Sequence, residues 1–208
     1  MLEALTGTGL AASAGLNAYI PLLTMGLLAR YTDTITLPGG WQWLSNGWVI
    51  GILAVLLAVE VVADKIPVVD HVNDVVQTVV RPTAGGLAFG AGSASQTVTV
   101  SDPGAFFGSH QWVPVAAGMV IALCVHGVKA AARPVVNATT AGVGAPVAST
   151  AEDFGSVVLS LLAILLPVLV LLGLVALVVG GWWAVRRRRA RKRERRSMEG
   201  VETERLFG

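Results

Sequence analysis

The sequence has 208 residues, of which 54% are hydrophobic and only 13% are charged, a composition that excludes an ordinary soluble globular domain. A lipid bilayer is therefore the predicted solvent for most of the chain. The net positive charge is concentrated at the C-terminus, where ten basic residues follow position 185 against four acids. A single cysteine excludes an intramolecular disulfide.

The first predicted membrane segment covers residues 5–29 and contains polar residues near its middle. No basic region or cleavage pattern of a signal peptide precedes it, so we expect a span that stays in the protein. Asn17, Tyr19 and Pro21 lie within five residues of one another. Such a cluster indicates either an unwound turn that offers polar groups to a solute or a kink whose amide bonds a neighbouring helix.

The second predicted segment, residues 48–66, carries two acids at its end. Glu60 and Asp64 are four residues apart and share one face of a helix. An ionisable group inside a span is costly, so Glu60 is a candidate proton carrier or cation ligand. The alternative interpretation is a carboxylate near the membrane surface that reaches water or pairs with Lys65.

Residues 67–81 are predicted to form an amphipathic helix on the cytoplasmic face or packed over the spans, because valines recur at helical spacing. A solvated polar face is the favoured interpretation of the other side, and no metal site is predicted there, although carboxylates and an imidazole lie within one turn. The polar residues of this helix are Asp70, His71, Asp74, Gln77 and Arg81.

A third segment over residues 83–100 and a fourth over residues 112–132 follow. The third is a weak outward crossing rich in small residues. The fourth begins at a tryptophan and contains His126, a residue that more often forms a bond between helices than binds a ligand.

The last two predicted segments differ in hydrophobicity. Residues 135–151 are uncharged but only mildly apolar, which predicts a broken or re-entrant helix that contains Asn137 and Thr140. Residues 155–185 form the most apolar stretch, in which Pro167 predicts a kink. Glu152 and Asp153 are assigned to the first turn of this last helix.

The distribution of basic residues predicts the orientation. The loops over residues 31–47 and 96–111 contain no lysine or arginine, so we expect both outside. Both termini are then inside, which predicts a multi-pass protein of the cell inner membrane with a cytoplasmic C-terminus. The basic tail, residues 186–208, is expected to bind anionic lipid and not nucleic acid through a cluster at its start, Arg186, Arg187, Arg188 and Arg189.

An internal repeat is a further hypothesis. A constant offset of 64 residues aligns Trp48 with Trp112 and Lys65 with Lys129, and an Arg-Pro pair follows each run. Chance similarity in a glycine-rich chain is the alternative.

Several short motifs resemble those of a known family. They are Gly15 to Tyr19 with Pro21, Asp64 to Pro67 with Asp70 and Asp74, Arg81-Pro82, Arg133-Pro134, Thr139 to Gly142, and Glu152-Asp153. The chain resembles a family of small bacterial multi-span inner-membrane proteins, a domain of unknown function, over residues 5 to about 177. The resemblance implies a membrane protein and no particular activity.

The fold expected from these features is an all-α polytopic membrane protein with five to six membrane segments, some of them broken or re-entrant. The leading functional hypothesis is a small transporter or channel-like protein for an unidentified solute or ion, and the alternative is a non-enzymatic scaffold or assembly factor that binds partner proteins or anionic lipid. No catalytic residue, cofactor or metal is predicted, and a homo-oligomer is left open. The candidate path residues are Asn17, Tyr19, Pro21, Glu60, Asp64, His126, Asn137 and Thr140.

Overall fold

The structure is a computed structural model of the chain, and it describes residues 2–65, 67–93, 112–140 and 144–170 with the isolated residues 172, 173, 175 and 186. All regular structure in these residues is helical, as predicted. Residues 1–170 form one compact unit, and the isolated residues belong to a second unit, 171–208. The helices are α1 (Leu2–Leu16), α2 (Tyr19–Tyr31), a 3-10 helix (Gly39–Ser45), α3 (Gly47–Ala63), α4 (Pro67–Gly92), α5 (Trp112–Thr140) and α6 (Gly144–Leu165).

Helix α1 is the centre of the first unit and packs against α4, α5 and α6. Small residues make this possible, because they let neighbouring helices approach closely. A Cβ atom at Gly9 would meet the side chains of Ala163 and Val170, and one at Gly15 would meet the side chain of Val125. The glycine-rich texture of the first segment is therefore a packing surface.

Helices α4 and α5 cross at two glycines. A Cβ atom on Gly85 would overlap Ala122 and the backbone of Gly118, and one on Gly118 would overlap the backbone of Gly85. This contact holds the two helices antiparallel, since Arg81 lies beside His126 further along.

Helices α1 and α2 form a hairpin. Thr6 of α1 lines the same cavity as Met25 of α2 and residues 35–38, the loop after α2. A straight helix would separate residues 6 and 25 by about 28 Å. The chain therefore reverses direction between α1 and α2, at Asn17.

Asn17 causes this reversal by ending one helix and starting the next. Its Oδ1 accepts hydrogen bonds from the backbone N–H of Tyr19 at 3.0 Å and of Ile20 at 3.2 Å, which caps the first turn of α2. Pro21 lies in that first turn, where a missing N–H costs nothing. The structure replaces the predicted single span over residues 5–29 by this hairpin.

The two ends of the unit differ in chemistry. The tryptophan end holds the open end of the hairpin and the aromatic side chain of Trp41, which packs on Gly90 at the end of α4. The charged end holds the side chains of Asp64, Arg133 and Glu152. Helices α3 and α5 run from the tryptophan end to the charged end, and α4 and α6 return.

Two prolines lie inside helices where segment boundaries are predicted. Helix α4 continues through Pro82, so the amphipathic stretch 67–81 and the start of the segment 83–100 form one helix. Helix α5 likewise continues through Pro134 to Thr140, and residues 144–151 begin α6, so no separate segment covers residues 135–151. Each proline removes one backbone N–H donor from its helix. Helices packed against neighbours can continue through such a position, because surrounding groups satisfy the freed carbonyl. Residues 94–100, 141–143 and 176–185 of the predicted segments lie outside the described residues.

The residues paired by the proposed repeat have different surroundings. Lys65 lies just beyond α3 and is exposed, whereas Lys129 lies inside α5 and is buried. The repeat is therefore not supported at this pair.

The unit has an apolar surface and a charged interior, the reverse of a protein folded in water. Trp48 is 84% exposed and Val79 is 71% exposed. By contrast, Glu60 is 2% exposed and Arg81 is fully buried. A surface of this kind is compatible with lipid around the helices.

The helix over residues 67–81 shows the same reversal. Val75, Val76 and Val79 are exposed, whereas Gln77 and Arg81 are buried. The predicted solvated polar face is therefore wrong at these two residues, because the polar side faces the interior and the valines face outward. The side chains of Asp70, His71 and Asp74 lie outside the described part of the chain.

Two of the described helices contain stretches long and apolar enough to cross a membrane, Trp112–Pro134 in α5 and Pro146–Leu165 in α6. A third candidate is the 3-10 helix with α3, if the 62° bend between them is included in one span.

The hairpin predicts where labels attach. In a Cys124→Ala background, we expect Glu3→Cys and Asp33→Cys to react with a membrane-impermeant maleimide from one side of the membrane and Lys65→Cys from the other, because α1 and α2 open at the tryptophan end. Labelling is measured in intact cells and in inverted vesicles. Reaction of Glu3→Cys and Asp33→Cys from opposite sides would contradict the hairpin and support the single span over residues 5–29.

Candidate functional site

A first group of polar side chains lies between α1, α3, α4 and α5, and we call it the Glu60 cluster: Glu60, Thr78, Arg81 and His126. Arg81 Nη2 donates to Glu60 Oε1 at 2.8 Å, and Arg81 Nη1 donates to the Gly15 carbonyl at 3.2 Å. His126 Nδ1 lies 3.5 Å from Arg81 Nη1, and its Nε2 lies 3.2 Å from Thr78 Oγ1. One buried guanidinium thus connects three helices and the end of a fourth.

A second group lies next to it at the charged end, and we call it the Asp64 cluster: Asp64, Asn73, Lys129, Arg133, Ser149 and Glu152. Asp64 Oδ1 accepts from Asn73 Nδ2 at 2.7 Å. Asp64 Oδ2 accepts from Ser149 Oγ at 3.2 Å and pairs with Arg133 Nη2 at 3.3 Å. With Lys129 Nζ at 3.6 Å, two cations and two neutral donors therefore stabilise this carboxylate as an anion.

Lys129 links this cluster to α6 and to the hairpin. Its Nζ lies 2.7 Å from Glu152 Oε2 and 3.6 Å from Asp64 Oδ2, and it donates to the Leu16 carbonyl at 3.3 Å. The Glu152 side chain is 20% exposed, whereas those of Lys129 and Asp64 are almost completely buried. The network of charges therefore reaches the surface at the charged end.

The cations of both clusters bind the end of α1. The last carbonyls of a helix have no partner within the helix and carry partial negative charge. Arg81 binds the Gly15 carbonyl and Lys129 binds the Leu16 carbonyl, so both satisfy carbonyls exposed by the break at Asn17. The hairpin tip and the ion pairs consequently depend on each other.

Polar bonds also fix α1 to α6. Asn17 Nδ2 donates to Asp153 Oδ1 at 3.0 Å. One turn away, Ser13 Oγ lies 2.7 Å from both Ser156 Oγ and Ser160 Oγ. Bonds of this kind between helices replace the hydrophobic attraction that lipid does not supply.

Some polar atoms of the interior have no partner. Among the described residues, Glu60 Oε2, Gln77 Oε1 and Arg81 Nε are buried without a hydrogen bond. Tyr19 lies near both Gln77 and Glu60. All four residues therefore border the same part of the interior.

A family model matches residues 4–187 of the chain, and its description is a domain of unknown function, DUF4126. The chain belongs to this family. The comparisons with curated proteins and with solved structures gave no match. Membership of the DUF4126 family confirms the resemblance described from the sequence and names no activity.

Several predicted path residues of this DUF4126 protein lie in or beside the two clusters. Glu60, Asp64 and His126 are members of them, Asn17 forms the hairpin tip, and Tyr19 contacts Gln77. Two residues of the predicted cytoplasmic helix, Gln77 and Arg81, also belong to this region.

Other predicted residues do not reach this region or are not described. Pro21 is buried in the first turn of α2. Thr140 is exposed, and its Oγ1 accepts from the backbone N–H of Gly144, which links α5 to α6. The Asn137 side chain and Arg187, Arg188 and Arg189 lie outside the described residues, whereas Arg186 is described and exposed.

Sequence patterns missed part of the network. Lys129, Arg133, Glu152 and Asp153 were not among the predicted path residues. Glu152 and Asp153 were assigned to the first turn of a helix that in fact begins at Gly144. The useful signal was the spacing of Lys129 and Arg133, which are four residues apart on a helix and share one face.

In the described residues, no three His, Cys, Asp or Glu side chains are grouped as metal ligands.

Removal of a buried cation from this network is expected to destabilise the fold. We predict that Lys129→Met lowers the free energy of unfolding by about 3–5 kcal/mol, because Glu152 loses the closer of its two cations and the Leu16 carbonyl loses its donor. Lys65→Met is the matched control, since Lys65 is exposed and, among the described residues, its side chain donates to the Val61 carbonyl of α3 and to no other group. Thermal unfolding in detergent measures both variants, and equal stability of the two would contradict the role of Lys129.

Proposed function

We propose that this DUF4126 protein is a membrane transport protein that moves a small ion or solute along the Glu60 and Asp64 clusters. The observation that carries the proposal is the burial of Glu60, Asp64, Arg81 and Lys129 at the tip of a helical hairpin, inside a bundle with an apolar surface. Charged side chains inside a membrane segment are costly and mark the paths of ions and substrates.

The proposed position in the membrane follows from helix length and charge. Helix α3 has 17 residues, and at about 1.5 Å per residue a helix of this length nearly crosses the hydrocarbon layer. We place α3, α4, α5 and α6 across the bilayer, with the α1 and α2 hairpin as a re-entrant element. The loop 32–46 has no lysine or arginine, so we assign the tryptophan end to the outside and the charged end to the cytoplasm.

Stability alone is a poor reason for these charges. A buried ion pair loses so much hydration that well-packed apolar residues often replace it without loss of stability. A chain that needed only to hold four helices together could do so through contacts such as Gly85 on Gly118. The retained charges therefore favour a function that uses them.

The hairpin supports transport more specifically. Its tip brings the carbonyl end of α1 and the N–H end of α2 into the interior, and broken helices in this arrangement form the ion and substrate sites of many transporters. A cavity of about 230 Å³ at the tryptophan end lies between the arms of the hairpin. Leu10 and Met25, both buried, line this cavity, and Asn17 is not among its lining residues.

A scaffold is the second candidate function. The exposed valines of α4, Val75, Val76 and Val79, offer an apolar face to a partner helix as well as to lipid. Binding of anionic lipid by the basic tail and formation of a homo-oligomer are compatible with either function. We propose no enzymatic activity for the chain. Transport is preferred, because a scaffold does not need the buried clusters.

Reconstitution tests transport directly. Proteoliposomes that contain the protein and a pH-sensitive, sodium-sensitive or potassium-sensitive dye are subjected to a membrane potential, and the entry of each ion is followed. We expect ion entry with the unmodified protein and at least a roughly tenfold decrease with Glu60→Gln, which removes one charge from the path.

The matched control is Glu3→Gln, since Glu3 is exposed at the start of α1. It should keep the flux of the unmodified protein. Equal flux in protein-free vesicles and in vesicles with the unmodified protein would contradict a role in the transport of these ions.

A further inference from the structure

A small polar site lies beside the ion pair of Glu60 and Arg81, between α2, α3 and α4. Gln77 and Arg81 are one turn apart on α4, so their side chains share one face. Glu60 approaches from α3, and Tyr19, at the start of α2, lies near both Glu60 and Gln77. The site is enclosed, because Glu60, Gln77 and Arg81 are all at least 98% buried.

The ion pair in this site uses only half of its bonding capacity. An arginine can bind a carboxylate through two parallel N–H groups. Here Arg81 Nη2 binds Glu60 Oε1, while Arg81 Nε and Glu60 Oε2 both stay without a partner. The buried Gln77 Oε1 also has none. The site therefore contains two acceptor oxygens that no donor of the described protein satisfies.

A proton suits these two acceptor oxygens better than a metal cation does. A metal cation at Glu60 Oε2 would be repelled by the guanidinium of Arg81, which lies 2.8 Å from the other oxygen of the same carboxylate. A proton forms a covalent bond to one oxygen and needs no further ligands. The resulting hydroxyl can donate to Gln77 Oε1.

We propose that Glu60 binds an exchangeable proton at Oε2, and, as an inference that rests on the proposed function, that this proton is the transported or coupling ion. A proton from water bonds to Oε2, and the carboxylate becomes a neutral acid that donates to Gln77. Arg81 keeps its charge and its bond to the Gly15 carbonyl. Loss of the proton to water restores the ion pair, so the step needs no other reactant.

Some groups around Glu60 favour its ionised form and others favour its neutral form. Burial removes water from the carboxylate, and Arg81 from α4 offers it an opposite charge at 2.8 Å. Asp64, one turn further along α3, has a like charge, and Lys129 from α5 pairs with Asp64. On the remaining sides, Tyr19 approaches from α2 and His126 of α5 contacts Arg81. Both the ionised and the neutral form of Glu60 therefore have groups nearby that favour them.

The second acceptor of Arg81 makes the exchange feasible. If Arg81 had Glu60 as its only partner, protonation would leave a buried cation alone. The Gly15 carbonyl at the negative end of α1 still accepts from Arg81 Nη1 at 3.2 Å. The Asp64 cluster, which reaches the surface at Glu152, leads from the cytoplasmic end toward this site.

Infrared difference spectroscopy tests proton binding without transport. The purified full-length protein in detergent is titrated with acid, and the carbonyl stretch of protonated carboxyl groups is recorded. We expect Glu60→Gln to lose one titrating carboxyl relative to the unmodified protein, whereas Glu3→Gln loses only an exposed one. Glu60→Asp, which keeps a carboxyl group, should still titrate, and Gln77→Leu should shift the midpoint to lower pH because the protonated acid loses its acceptor.

The outcomes separate this inference from the proposed function. An unchanged buried carboxyl band in correctly folded Glu60→Gln, together with an unshifted titration in Gln77→Leu, would overturn the proton site whatever the flux. If Glu60 titrates as expected but the unmodified protein moves no ion in proteoliposomes, the site stands and the transport function fails. Loss of both the titration and the proton flux in Glu60→Gln supports the proton site and the transport function together.

Discussion

The buried guanidinium of Arg81 is the interaction on which the rest of the structure depends. It joins α4 to Glu60 of α3, to the Gly15 carbonyl at the end of α1 and to His126 of α5. A cation in this position is stable only while acceptors surround it. The break in the first hydrophobic segment supplies one of those acceptors, so the hairpin, the helix packing and the candidate site form one arrangement.

The apolar exterior indicates the solvent in which this arrangement is stable. In water the exposed Val79 and Trp48 would be unfavourable, and the inward charges of the two clusters would be better solvated outside. In lipid the opposite holds, because the helices cannot associate by hiding apolar surface and must use close glycine contacts and polar bonds. The Gly85 and Gly118 crossing and the serine bonds between α1 and α6 are examples of both.

Sequence patterns predicted the helical class and singled out Asn17, Glu60 and Asp64, all of which the structure buries. They identified these residues because an ionisable or helix-breaking residue stands out in an apolar run. They did not predict that the chain reverses at Asn17, since the same residues suit a kink and a hairpin. Helix periodicity also gives two faces without saying which one is inside, which is why Gln77 was assigned to the wrong side.

The most direct test of the inverted arrangement is a nitroxide scan along α4 in lipid bilayers, with oxygen accessibility measured at each position from 75 to 79. Lipid around an apolar surface predicts high accessibility at residues 75, 76 and 79 and low accessibility at residue 77, in agreement with the exposure of the valines and the burial of Gln77. High accessibility to a water-soluble nickel complex at residue 77, with oxygen excluded at residue 79, would contradict it.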